Sequence, residues 1–229
     1  MSAHISAASG LPDALLMDMD GTLIRSGQYW KQAETAIFAR YGVAFSRKLA
    51  LRMVGKSIGD GIAELIEHSG IDASPRVLAQ EIIEAVIEVE RNNPVLFQPG
   101  ARELLERARQ LGIRLALVTG SVHDMAQVMI DQLPEGTFSV VITGDMVEHG
   151  KPNPQPFLTA ARALGVDPSR SIVFEDSPAG VEAGVAAGAH TVVVPYEVHV
   201  DPPDGVFMLQ SLTQADEALL RRVMASSLE

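Results

Sequence analysis

The chain has no cysteine. That absence excludes disulfides, thiolate metal sites and cysteine nucleophiles, and it fits a reducing compartment, so a cytoplasmic location is expected. Basic residues are in deficit: 18 lysines and arginines face 29 aspartates and glutamates, for a net charge of −11. An acidic surface repels nucleic-acid phosphates and anionic membranes, which argues against both as partners. No uninterrupted apolar run reaches membrane-spanning length. Residues 1–12 carry neither Lys nor Arg and no apolar stretch, so they do not read as a secretory signal. Internal repeats and low-complexity tracts are also missing.

What is present suits a globular protein. Hydrophobic residues make up 47% and charged residues 21% of 229 positions, enough for a sizeable core in one domain with or without a small insert. Five apolar runs read as buried strands: 14–17, 114–118, 140–143, 171–174 and 191–194. Between them lie helical patterns at 101–111, 157–164 and 181–187, each followed by a glycine that can stop a helix. Strands alternating with helices predict an α/β fold, with a Rossmann-like parallel sheet flanked by helices. Ligands of such sheets bind at the carboxyl ends of the strands.

Residues 28–94 break this rhythm. Trp30, Ala33, Ile37 and Tyr41 share one helical face; Ile62, Leu65 and Ile66 suggest a second helix; Leu78, Ile82, Val86 and Val89 suggest a third. Glu84, Glu88 and Glu90 read as the solvated side of that last helix. The expected organisation is a core formed by 1–27 and 95–229, with a helical cap over 28–94.

Four strand ends carry the chemistry. Asp18-Met19-Asp20-Gly21-Thr22 follows the first run. Two carboxylates two residues apart in extended chain point the same way, roughly 6–7 Å apart. Carboxylates at an apolar strand end need a pairing cation, and oxygen-only donors suit magnesium. The Thr at position 22 and the missing flanking helices exclude an EF-hand. Thr119 and Gly120, after the second run, offer a hydroxyl and backbone N–H groups to a phosphate oxygen; Ser121 reads as a helix N-cap. Lys151 lies between Gly150 and Pro152, where one cation can neutralise a phosphate and a carboxylate together. Glu175 and Asp176 end the fourth run, before a Gly-containing turn into a helix, and Asp176 is placed to complete a magnesium site. His123 reads as a helix-surface residue.

Each signal is modest alone. In this order, from about Leu15 to Val194, they resemble the haloacid dehalogenase superfamily, phosphatase branch. The resemblance rests on Asp18-Met19-Asp20-Gly21-Thr22-Leu23, on Leu117-Val118-Thr119, on Lys151-Pro152 and on Glu175-Asp176-Ser177-Pro178-Ala179-Gly180. It implies a magnesium-dependent phosphohydrolase of a small phosphate ester, expected to be a sugar phosphate, working as a monomer. Asp18 would be the nucleophile, forming an aspartyl-phosphate, and Asp20 the general acid and base. Met19, Thr119, Gly120 and Lys151 would hold the phosphate. Asp18, the Asp20 carbonyl and Asp176 would bind magnesium, with Glu175 at or behind that site. The residues from 28 to 94 would be the family's small helical cap, from which Gly55, Lys56 and Ser57 would reach the substrate. A P-loop reading of that tripeptide fails, because position 50 is Ala.

Three alternatives stay open: a mutase resembling beta-phosphoglucomutase, a phosphonate hydrolase using Lys56, and an inactive binding protein. Asp20 argues against a dehalogenase, whose motif lacks the second aspartate.

Overall fold

The computed structural model describes residues 10–53 and 58–226, with backbone alone for 51–53 and 58–60. Gly55, Lys56 and Ser57 therefore lie outside the described residues. Six strands form one parallel sheet: β1 (Ala14–Met17), β2 (Arg114–Val118), β3 (Val140–Ile142), β4 (Ser171–Glu175), β5 (His190–Val193) and β6 (Phe207–Met208), in the order β3-β2-β1-β4-β5-β6. The five expected runs pair as anticipated. The edge strand β6 is an addition, its two residues too few for a period to show in sequence.

Because every strand is parallel, both faces must be covered. β1 shows how: Leu15 and Met17 enter one apolar cluster, Ala14 and Leu16 the other. The first face is closed by α5 (Ala101–Gln110) and α9 (Glu217–Met224), through Leu104, Leu105, Leu219 and Val223. The second is closed by α7 (Gln155–Leu164) and α8 (Pro178–Ala186), through Phe157, Ala160, Leu164 and Ala183. Fully burying a side chain such as Phe157 contributes about 1.5–3 kcal/mol. Helices α7 and α8 begin earlier than expected because prolines occupy their first turns, where a missing N–H costs nothing. A short helix α6 (His123–Ile130) follows β2. No helix among the described residues is long and apolar enough to cross a membrane.

Between β1 and α5 the chain forms α1 (Gly27–Arg40), α2 (Arg47–Met53), α3 (Ile58–Ser69) and α4 (Pro75–Arg91). These helices share an apolar cluster built on Tyr29, Ile37, Phe38, Ile62, Leu65, Leu78, Ile82 and Val86. The core's Met125 joins it from α6. The two connecting segments pair with each other: Arg25 N–H donates to Leu96 O at 2.8 Å and Gln98 N–H to Leu23 O at 2.8 Å. The Tyr29 hydroxyl ties the start of α1 to the return segment, donating to Pro94 O at 2.8 Å and accepting from Leu96 N–H at 3.0 Å.

Two expectations for these helices change. On α1 the buried face runs through Tyr29, Ala33, Glu34, Ile37 and Phe38, leaving Trp30 and Tyr41 half-buried. On α4, Glu84 and Glu88 are exposed as expected, but Glu90 is buried. It continues the i, i+4 stripe of Leu78, Ile82 and Val86 into the interior.

Candidate active site

The strand order reverses at β1, whose neighbours β2 and β4 lead to opposite edges of the sheet. This switch point is where doubly wound sheets open a crevice for ligands. Asp18 leaves β1 there, its N–H donating to Phe174 O of β4 at 3.1 Å. Glu175 closes β4 and Asp176 follows it.

Lys151 crosses to this point from the loop between β3 and α7, and its peptide bond to Pro152 is cis. Its ammonium donates to Asp18 Oδ1 at 2.6 Å, Glu175 Oε1 at 2.5 Å and Val118 O at 2.9 Å. All three N–H donors are thereby committed within the protein. Its side chain is 11% exposed. Burial alone would lower its pKa, but the two carboxylates outweigh burial and hold it above the ordinary lysine range.

Glu175 is held on both oxygens: Oε2 accepts from Asp176 N–H at 3.0 Å, Ser177 N–H at 3.2 Å and Ser177 Oγ at 2.9 Å. Its carboxyl fills the space a side chain at position 180 would need, so Gly180 is required there. Gly21, at φ +84°, similarly leaves room for the Asp176 carboxylate beside the turn after Asp20.

Asp18, Glu175 and Asp176 each offer a ligand atom, all within 4.8 Å of one another. Burial, with Glu175 close by, pushes Asp18 up to about 7 despite Lys151. Burial and the charges of Asp18 and Glu175 also raise Asp176. One lysine does not balance three carboxylates, and the excess negative charge with oxygen-only donors fits a divalent cation.

Asp20 is positioned from β2. Ser121 Oγ donates to its Oδ2 at 2.6 Å, and Thr119 Oγ1 does so at 3.4 Å. Its Oδ1 is buried without a hydrogen-bond partner. Ser121 is therefore not the expected helix cap: Val122 stands at the N-cap of α6, and the Ser121 hydroxyl serves Asp20 instead. This residue was missed as a site candidate, although its place one residue beyond Thr119-Gly120 was a usable signal. Thr119 Oγ1 accepts from Ser121 N–H at 3.0 Å, while Gly120 is exposed. The Met19 side chain is fully buried in the core, leaving its main chain as the group it can offer. His123 is exposed, its N–H donating to Asp145 Oδ1 at 3.1 Å.

A buried carboxylate paired with a lysine, further carboxylates at an adjacent strand end and a second aspartate held by hydroxyls make this crevice the candidate active site of a doubly wound fold. The family model for haloacid dehalogenase-like hydrolases matches residues 12–188, and the chain belongs to that family. Among its relatives is the validoxylamine A 7'-phosphate phosphatase of Streptomyces hygroscopicus subsp. limoneus, 34% identical over 77% of this chain and 83% of that protein. The phosphorylated carbohydrates phosphatase of Thermotoga maritima is 32% identical over 87% and 91%. Crystalline CbbY from Rhodobacter sphaeroides, a variant in complex with xylulose-(1,5)bisphosphate, superposes with a TM-score of 0.78 at 26% identity, covering 89% of this chain and 96% of that one.

Proposed function

We propose that the chain is a magnesium-dependent phosphatase that hydrolyses a small phosphate monoester, a sugar or polyol phosphate, through an aspartyl-phosphate on Asp18. The observation that carries this reading is the buried Asp18 at the switch point, one oxygen 2.6 Å from the Lys151 ammonium and within 4.8 Å of carboxylate atoms of Glu175 and Asp176. The names of the phosphatase relatives point the same way.

In this reading an Asp18 oxygen attacks phosphorus and the ester P–O bond breaks. Asp20, held on Oδ2 by Ser121, delivers a proton to the departing oxygen from its unpartnered Oδ1. Water then attacks the phosphoryl group, its proton returns to Asp20, and phosphate leaves with Asp18 regenerated. Lys151 keeps Asp18 oriented and favours its ionised form. Thr119, Gly120 and the Met19 backbone hold the phosphoryl oxygens. Asp18, Asp176 and the Asp20 carbonyl would hold magnesium, with Glu175, both oxygens engaged, fixing Lys151 behind them. Bound there, the metal would neutralise charge on the transferring phosphoryl group. The helices of 28–94 form the cap that shields the site from water.

The test is phosphate release from sugar phosphates, nucleotides and phosphoglycolate, with magnesium or chelator, beside glucose 1-phosphate isomerisation primed by a bisphosphate. Magnesium-dependent release with one preferred ester supports the phosphatase; rapid primed isomerisation with little release makes the chain a mutase. Asp18→Asn should lower turnover by at least about a thousandfold with an unchanged circular dichroism spectrum. Full magnesium-dependent turnover in that variant would end the covalent mechanism.

A further inference from the structure

Four buried side-chain oxygens among the described residues have no hydrogen-bond partner: Asp20 Oδ1, Thr22 Oγ1 and both carboxyl oxygens of Glu90. Asp20 and Thr22 lie just after β1, Asp20 in the candidate site. The third, Glu90, stands among the inserted helices, at the end of α4 and 2% exposed. A buried carboxyl without donors is costly, so its retention calls for a reason outside the folded chain itself. Val86, one turn before Glu90, packs in one apolar cluster with Met125 of α6, the helix that begins two residues after the serine whose hydroxyl holds Asp20, and the Asp20 charge acts on Glu90 across that contact. A leaving group whose ester oxygen met Asp20 and which extended toward the helices would find acceptors in the two unpartnered Glu90 oxygens.

We propose that Glu90 recognises the leaving group, accepting hydrogen bonds from the hydroxyls of a polyol or sugar held beside Asp20. The inference rests on the phosphatase reading and specifies its substrate class. Two unpartnered carboxyl oxygens match hydroxyl donors on carbons near the ester. A leaving group that is itself a carboxylate, such as glycolate, would set a further negative charge beside Glu90 and Asp20 and bring their oxygens no hydroxyl donor. The preference for hydroxylated over anionic leaving groups would therefore come from the helical side of the site, while the phosphoryl chemistry stays on the sheet side.

The experiment compares kcat and KM for sorbitol 6-phosphate, glucose 6-phosphate, phosphoglycolate and p-nitrophenyl phosphate in the wild type, Glu90→Gln and Glu90→Leu, with magnesium. The wild type should favour the hydroxylated esters over phosphoglycolate. In Glu90→Leu the ratio of kcat/KM on the better hydroxylated ester to that on p-nitrophenyl phosphate should fall roughly 10- to 100-fold, chiefly through KM. Glu90→Gln, which keeps one acceptor, should fall between. Thermal unfolding adds an independent readout: Glu90→Leu should raise Tm, because it removes an unpartnered buried carboxyl, whereas loss of a structural contact would lower it. An unchanged ratio, a parallel loss on every ester, or a wild type that prefers phosphoglycolate would each overturn the assignment. A wild type inactive even on p-nitrophenyl phosphate, which asks nothing of leaving-group recognition, would instead bring down the phosphatase reading and this inference with it.

Discussion

The sheet's carboxyl edge and the helical group above it both bury acids, but they handle the charge differently. At the edge, Asp18 and Glu175 share one lysine at 2.6 and 2.5 Å, and Glu175 takes three further donors from the turn that follows it. In the helical group, Glu90 sits in an apolar stripe with neither oxygen bonded. Glu34 is also buried there, and burial with Glu197 nearby pushes it up to about 7. The edge is therefore largely preorganised before any ligand arrives, as electrostatic catalysis requires. The helical face is left incomplete, as expected of a surface that reads a substrate.

The largest effect should come from removing the cation at the edge. Lys151→Met leaves Asp18 and Glu175 buried without their partner, a change that typically costs about 3–5 kcal/mol. Urea unfolding in chelator should show that loss, and magnesium should recover part of it. A variant as stable as the wild type in chelator would mean that the edge does not depend on its internal cation, and the contrast with the helical face would disappear.

Metal and pH give the next effect. The folded chain raises Asp18 from 3.8 to about 7, chiefly by burial and Glu175, and Glu90 from 4.5 to about 8, by burial and then Asp20. An acid with a raised folded pKa contributes its stability fully below its unfolded pKa and loses it as pH rises through the folded one. His190, lowered by burial, acts in the opposite sense but only below its ordinary value of 6.5. Without metal, Tm should therefore fall between about pH 6.5 and 8.5. Magnesium at about a hundred times its Kd should add about 2.7 kcal/mol at the upper end. It should cancel the parts of the slope due to Asp18 and Asp176 and leave those due to Glu90 and Glu34, so the metal-bound Glu90→Leu protein should show a flatter profile than the metal-bound wild type. A metal-free Tm that rises over this range would contradict the buried-acid description of both regions.

The edge was legible in sequence because its residues stand at strand ends, where an apolar run stops and a short polar motif begins. Asp18, Asp20, Glu175 and Asp176 stand that way, whereas Lys151 lies in a loop nine residues beyond β3 and gained its meaning from the series of motifs together. Ser121 did not, since a serine before a helix has the more ordinary reading of a cap, and only the fold shows its hydroxyl turned to Asp20. Glu90 was hidden for a different reason. Between Val89 and Arg91 it looks like helix surface, and its i+4 spacing from Val86 shows its meaning only once α4 is packed with that stripe inward. Short polar motifs can be read along the chain, whereas a polar residue on an apolar stripe needs the helix's rotation to be known. For the same reason the expected α1 face of Trp30, Ala33, Ile37 and Tyr41, all in or against the apolar cluster, lacked Tyr29, Glu34 and Phe38, which are buried with it.

The smallest effect should come from the tie between the two regions. Tyr29→Phe keeps the buried ring but removes the hydroxyl that accepts from Leu96 N–H and donates to Pro94 O. Both backbone groups lose a protein partner, which should cost about 1–2 kcal/mol. Amide exchange separates this from a general loss of stability: Leu96 should exchange faster by a larger factor than the amides of β1 and β4, because the lost bond is local to the stem. If exchange at Leu96 stays as slow as in the wild type, the tie is redundant. The helical group would then be held to the sheet by the apolar contact of Met125 and by the pairing of 23–25 with 96–98. In that event Glu90 would owe its place beside Asp20 to hydrophobic packing, and truncating Met125, which carries no polar atom toward the site, should disturb leaving-group preference more than the tyrosine does.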